Sequence, residues 1–76
     1  MRVQVVSFGK IADILGSKSL EVNASDTSEL QNILFERFPA LRNSMFAVAV
    51  NRQVVTANTE LSENAEVALL PPFSGG

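Results

Sequence analysis

The stretch that decides the fold is "DTSELQNILFERFPAL", residues 26–41. Asp26 can accept hydrogen bonds from the first free backbone N–H groups of a helix, and Glu29, three residues later, can reach back in a capping box. Large apolar residues then recur at helical spacing on one face: Leu30, Ile33, Leu34 and Phe38. Pro39 ends the pattern, because proline has no N–H and restricts the residue before it. We predict one main helix that packs its apolar face against a sheet.

The stretches on either side of this helix have the composition of β-strands. Strands are predicted for "RVQVVSF" and "SKSLEVN" before it and for "MFAVAVN", "RQVVT" and "EVALL" after it, with a turn near residues 51–53. A short helix, "GKIADILG", follows the first strand and ends at Gly16. The pattern predicts an α+β fold: a mixed sheet with one main helix packed on one face.

Length and composition indicate a single folded domain over residues 1–76, since 46% of the residues are apolar. Cysteine is absent, so disulfides and thiolate metal sites are excluded. We find no signal-peptide pattern and no apolar run of the roughly 20 residues that a membrane span needs. The expectation is a cytoplasmic protein that makes no membrane contact.

The charged residues give a net charge of −2, and the six Lys and Arg residues are scattered along the chain. Nucleic-acid binding is not expected, because it favours a concentrated basic surface with stacking aromatics, and Trp and Tyr are absent. The mild acidity fits a partner with a basic face.

Self-contained catalysis is improbable because the chain has neither histidine nor cysteine. Glu60, Glu63 and Glu66 are interpreted as a solvated acidic loop rather than an acid–base pair. No glycine-rich phosphate-binding pattern is present, so any ATP chemistry must use a pocket on another protein.

The C-terminal segment "PPFSGG", residues 71–76, carries the remaining reactive group, the α-carboxylate of Gly76. Gly75 and Gly76 lack Cβ atoms, so the chain end can enter a narrow channel and its carbonyl carbon is open to attack. Residues 71–76 are predicted to be a flexible functional tail. The alternative is an ordinary frayed chain end.

The whole chain resembles the ubiquitin-like sulfur carriers, and among them the small subunit of molybdopterin synthase. The likeness rests on "SFGKIADILG", "FERFPAL", "VAVN" and above all the "PPFSGG" ending after "LSENAEVALL". The resemblance implies a β-grasp fold.

The resemblance also implies a reaction cycle at the tail. A ubiquitin-activating-type adenylyltransferase would use ATP to adenylate Gly76, and a sulfur donor would convert the adenylate to a thiocarboxylate. The tail would then enter the large synthase subunit, in a heterotetramer, and give its sulfur to a cyclic pyranopterin precursor of the molybdenum cofactor. This chain would bind no cofactor itself.

Three partner-binding residues are carried over from the same resemblance, Phe8, Leu61 and Leu70, and two residues of the tail, Phe73 and Ser74, are predicted to join them. Leu61 is expected to be exposed, since its neighbours in the sequence are polar. Phe73 is expected to be an exposed anchor in the tail.

Three alternatives stay open at this point. The chain could carry sulfur for another pathway, such as thiamine or tungsten-cofactor assembly. It could be a β-grasp interaction module without chemistry, or a modifier attached to lysines as ubiquitin is.

Overall fold

The computed structural model of the protein describes residues 1–71. In chain order, the elements are β1 (Arg2–Ser7), α1 (Gly9–Leu15), β2 (Ser19–Asn23), α2 (Thr27–Arg37), a 3₁₀ helix (Pro39–Asn43), β3 (Ala47–Val50), β4 (Gln53–Val55) and β5 (Ala65–Leu70). The predicted helices and strands are present, and the 3₁₀ helix is an addition.

The strands form one five-stranded mixed sheet with the order β2-β1-β5-β3-β4. β1 and β5 are parallel neighbours, and the other pairs are antiparallel. The last strand of the chain therefore lies in the middle of the sheet, between the first strand and the third. The C-terminal ends of β1 and β5 lie at the same end of the sheet, because parallel strands run in one direction.

The core lies between the sheet and α2. Alternate residues of β1 and β5 are fully buried, and Leu30 and Leu34 of α2 pack against them. Ile33 and Phe38, predicted for the same helix face, are only partly buried at the edge of this cluster. The prediction of one main helix packed on one face of a mixed sheet is confirmed.

The start of α2 follows the sequence pattern closely. The Asp26 carboxylate accepts a hydrogen bond from the Glu29 N–H at 2.8 Å. The Glu29 carboxylate reaches back, but to the Ser25 N–H at 2.7 Å, one residue before the position a capping box uses. The first bond satisfies a backbone donor that the first helical turn leaves free, and the second fixes the residue just before the N-cap.

The end of α2 agrees with the prediction that Pro39 ends the helix. The α-helix ends at Arg37, and Pro39 opens the 3₁₀ helix that follows. This short helix turns the chain enough to bury Leu41 completely. In the described part of the chain, no helix is both long enough and apolar enough to cross a membrane.

Candidate docking face and the start of the tail

The last described residue, Pro71, directly follows the strand at the centre of the sheet. β5 ends at Leu70, which pairs with Ala47 at the start of β3. Pro71 follows and lines a shallow depression together with Lys10 and Met45. Phe73, Ser74, Gly75 and Gly76 lie outside the described residues, so the roles predicted for them stay predictions.

The sheet has an outer face, the side away from α2, and its half nearest Pro71 is apolar. Residues of four neighbouring strands form one row across it, because Val6 pairs with Ala68, Ala68 with Ala49, and Ala49 with Val54. Val6 points to this face because its neighbours Val5 and Ser7 are buried on the other. Phe8 and Leu70 continue the apolar surface toward Pro71.

Small side chains in the middle of the row make this surface concave. Ala49 and Ala68 are flanked by the larger Val6, Val54 and Leu70, and the resulting open groove has a volume of about 520 Å³. Two residues at its margins expose large apolar area: Phe8 is 50% and Val54 61% exposed. We call the residues Val6, Phe8, Ala49, Val54, Ala68 and Leu70 the docking face.

The other half of the outer face is polar. Gln4 pairs with both Glu21 and Glu66, and its amide donates a weak hydrogen bond to the Glu21 carboxylate at 3.4 Å. Arg52 lies 3.9 Å from the Glu66 carboxylate. The apolar area is thus confined to the half of the face from which the tail starts.

Phe8 owes its exposure to the turn between β1 and α1. Its backbone is extended, with φ −139° and ψ 154°, and its carbonyl accepts from the Ile11 N–H at 3.2 Å. Gly9 then has a φ of +57°, in the left-handed region where a residue with a Cβ would be strained. The turn leaves the Phe8 ring beside the sheet rather than in the core.

Leu61 is not on this face, and the expectation that it is exposed is wrong. Its side chain is only 4% exposed and belongs to the core cluster. The Leu61 N–H donates to the Ser25 carbonyl at 2.9 Å, which ties the loop to the start of α2. Polar neighbours in the sequence misled the prediction, because they face solvent while this one leucine turns inward.

Sequence reasoning also missed residues that the fold brings to the docking face. Val6, Ala49, Val54 and Ala68 were read only as parts of strands. The signal was present in the first strand, where Val6 and Phe8 alternate with buried residues and so must face away from α2. For β3 and β5 the facing partner was unknown, and alternation alone could not indicate which face stays uncovered.

The acidic residues of the last loop have separate surroundings. Glu63 accepts from the Arg2 N–H at 2.9 Å. Glu66, predicted to belong to the same solvated loop, lies instead in β5, is only partly exposed and contacts Arg52. Within residues 1–71, no group of acidic side chains is arranged to hold a metal ion.

Comparison with known proteins places the chain in a family. Residues 5–76 match the model of the ThiS family. The molybdopterin synthase sulfur carrier subunit of Caenorhabditis briggsae is 31% identical, over 97% of this chain and 96% of that protein.

Solved structures agree with this assignment. A chain from the complex of subunits 1 and 2 of the molybdopterin-converting factor of Helicobacter pylori 26695 is 32% identical, with a TM-score of 0.77 and full coverage of both chains. A putative molybdopterin converting factor subunit 1 from Pyrococcus furiosus has a TM-score of 0.89 at 19% identity, over 96% of this chain and 99% of that one. These likenesses confirm the predicted β-grasp fold, and the match over residues 5–76 shows that this chain belongs to the ThiS family.

Proposed function

We propose that the protein is the sulfur carrier subunit of a molybdopterin synthase, with Gly76 as the residue that bears the sulfur. The observation that carries the proposal is the position of the docking face, which ends where the tail starts, at Leu70 and Pro71. A partner that holds this face receives residues 72–76 directly. The family membership and the likeness to a chain of the Helicobacter pylori subunit complex support the assignment.

The first chemical step is activation of the Gly76 carboxylate, which is a poor electrophile because it is ionised at neutral pH. In the proposed cycle, a carboxylate oxygen attacks the α-phosphorus of ATP on a separate adenylyltransferase, and pyrophosphate leaves. A hydrosulfide equivalent from a donor protein then adds to the carbonyl carbon. A C–S bond forms as the C–O bond to AMP breaks, which leaves a thiocarboxylate.

The second step is transfer. The thiocarboxylate sulfur is a softer nucleophile than the original oxygen, and in the large subunit it attacks a carbon of the cyclic pyranopterin precursor. A C–S bond forms as a C–O bond at that carbon breaks, and the displaced oxygen leaves with the electron pair. Hydrolysis of the resulting thioester leaves sulfur on the precursor and restores the Gly76 carboxylate. The described residues provide the surface that the partner enzymes bind and take no part in the bond changes. The chain has no histidine or cysteine to act as a base or thiol nucleophile.

Two partners follow from this cycle, the large synthase subunit and the adenylyltransferase, both in the cytoplasm. Each must hold the same carrier while its tail occupies an active site, so both are proposed to use the docking face. With the large subunit, the expected assembly is a heterotetramer.

Mass spectrometry of the protein after co-expression with its activating enzyme tests the chemistry. One oxygen-to-sulfur exchange at Gly76 is expected. An isopeptide bond to another protein would instead support a modifier, and an unchanged mass would support an interaction module. Growth of a host that lacks its own small subunit, scored by a molybdoenzyme assay, separates this pathway from thiamine or tungsten-cofactor assembly.

Deletion of Gly76 should abolish sulfur transfer and leave the free energy of unfolding unchanged, because the core cluster lies within residues 3–69. The measurements are a synthase assay and urea denaturation of the same preparations. Sulfur transfer by the truncated chain would refute a mechanism centred on the terminal glycine.

A further inference from the structure

The charges of the protein are segregated along the sheet, although they are scattered along the sequence. We define the exit end as the end of the sheet where β1 and β5 finish, with the segments that adjoin it there. Four of the six Lys and Arg residues lie at the exit end: Lys10, Lys18, Arg37 and Arg42. Asp13 and Glu36 are the two carboxylates in the same region.

The opposite half of the domain carries the remaining charges. Its six carboxylates belong to Glu21, Asp26, Glu29, Glu60, Glu63 and Glu66. Its two cations, Arg2 and Arg52, have an acidic partner each, at 3.1 Å and 3.9 Å. Counting side chains only, the exit end has a formal charge of +2 and the opposite half −4, which together give the net −2 of the chain.

The cations at the exit end are available to another molecule. All four residues are exposed, and none of them forms an ion pair with another residue of the described part. The charges of one end also have little electrostatic effect on a partner bound at the other end. A six-residue strand is about 20 Å long, whereas salt screens charges beyond about 8 Å at physiological ionic strength.

The arrangement of the four cations favours an extended ligand surface over a single small anion. Lys18 lines the groove of the docking face, and Lys10 lies beside Pro71. Arg42 is on the helix side, with its guanidinium carbon 5.1 Å from the centroid of the Phe35 ring. A phosphate would need such groups to converge on one point, but here they are spread from the groove, through the depression at Pro71, to the helix side.

We infer that the exit end docks against an acidic surface around the entrance of the channel that accepts the tail. The inference rests on the proposed function, and it names the large synthase subunit as the partner with that surface. Unlike charges around a binding site speed diffusional encounter and orient it, with gains of roughly 10- to 1,000-fold in on-rate at low salt. The overall net charge alone suggested the opposite, a partner with a basic face.

Two double variants with the same net charge test the inference. Lys10→Gln with Lys18→Gln removes two positive charges at the exit end. Ser28→Glu with Ser62→Glu adds two negative charges at the opposite end, at exposed side chains that make no hydrogen bond to another described residue. Thermal unfolding of each variant checks that the fold is retained.

The measurement is the association rate constant of the full chain with the large subunit of the same host's synthase, by stopped-flow fluorescence. The salt series runs from about 0.01 M to about 1 M NaCl, which shortens the screening length from about 30 Å to about 3 Å. At the lowest salt, the lysine variant should associate about tenfold more slowly than the wild type, and the serine variant within about twofold of it. The difference should disappear at the highest salt.

Other outcomes overturn the inference in distinguishable ways. Equal effects of the two variants, no salt dependence, or faster association of the lysine variant would overturn it while leaving the proposed function intact. No association of the wild-type chain with the large subunit would overturn the proposed function as well.

Discussion

At the residue scale, Leu61 shows that one side chain can be buried although its neighbours in the sequence are exposed. It follows Glu60 and precedes Ser62, yet it packs in the core at 4% exposure. The loop that carries it is fixed at the start of α2, where the Thr59 N–H donates to the Thr27 hydroxyl at 3.0 Å. The buried Leu61 side chain therefore fixes the loop to the domain, and it is not exposed for contact with a partner.

Replacement of Leu61 by alanine should lower the free energy of unfolding by about 2–5 kcal/mol, because it removes buried methyl groups and leaves a cavity. Urea denaturation measures the change. Val54→Ala is the control, since that valine is 61% exposed, and it should change stability by no more than about 0.5 kcal/mol. Equal stability of the Leu61 variant and the wild type would place the side chain at the surface.

Arg52 is a second informative residue, because its backbone conformation lowers the stability of the protein. Asn51 and Arg52 have φ values of 48° and 73°, as the tight turn between β3 and β4 requires. Asparagine tolerates the left-handed region, but at the second position of such turns glycine is preferred. Arg52→Gly should therefore raise the free energy of unfolding by about 1 kcal/mol.

The gain competes with loss of the Arg52–Glu66 contact, which is long and exposed and so contributes little. Arg52→Ala serves as the control: it removes the same contact but keeps the Cβ atom, so it should not stabilise the protein. If both variants proved equally stable by urea denaturation, strain at this turn would be absent.

At the element scale, β5 combines the three features on which the proposed function depends. Its buried residues Val67 and Leu69 complete the core, its outward residues Ala68 and Leu70 belong to the docking face, and its end leads into the tail. Alternation along one strand thus separates stability from recognition. A change at an outward position should affect binding with little effect on folding.

Ala68→Glu should weaken binding to the large subunit by more than about tenfold, because it places a charge in the middle of an apolar interface. Gln4→Glu is the matched control, with the same added charge on the polar half of the same face. Its affinity should stay within about threefold of the wild type. Isothermal titration calorimetry gives both values, and equal losses would argue against the apolar half as the docking face.

At the scale of the whole molecule, the chain closes its sheet with its last strand. β5 pairs with β1 and β3 over most of its length, so the C-terminal part of the chain holds together segments that are far apart in the sequence. These pairings join residues that are far apart in the sequence, so contacts between sequence neighbours cannot replace them. The domain should therefore tolerate loss of the tail but not of the strand end.

A chain that ends at Ala68 lacks Leu69, which is fully buried and pairs with Ser7 and Val48. Burial of such a side chain contributes about 1.5–3 kcal/mol. The shortened chain also loses the partly buried Leu70 and the strand pairing of both residues, so the total loss approaches the roughly 5 kcal/mol that stabilises a small domain. The shortened protein should be largely unfolded by far-UV circular dichroism. A chain that ends at Pro71 keeps the whole core and should fold, and a folded spectrum from both would contradict this view of β5.

The sequence by itself determined the main helices and strands and indicated a candidate reactive end. Asp26 and Glu29 marked the start of α2, Pro39 marked its end, and β-branched alternation marked the strands, because caps and periodicity act over a few residues. The absence of histidine and cysteine left the Gly76 carboxylate as the candidate reactive group.

Only the tertiary structure decided which side chains share a surface. The pairing of β5 with β1 and β3 collects Val6, Ala49 and Ala68 into one row and leaves Leu61 inside the core. The same pairing gathers Lys10, Lys18 and Arg42 at the end where β5 stops. These groupings join residues that are distant in the chain, and strand register, which depends on packing of the whole sheet, determines them.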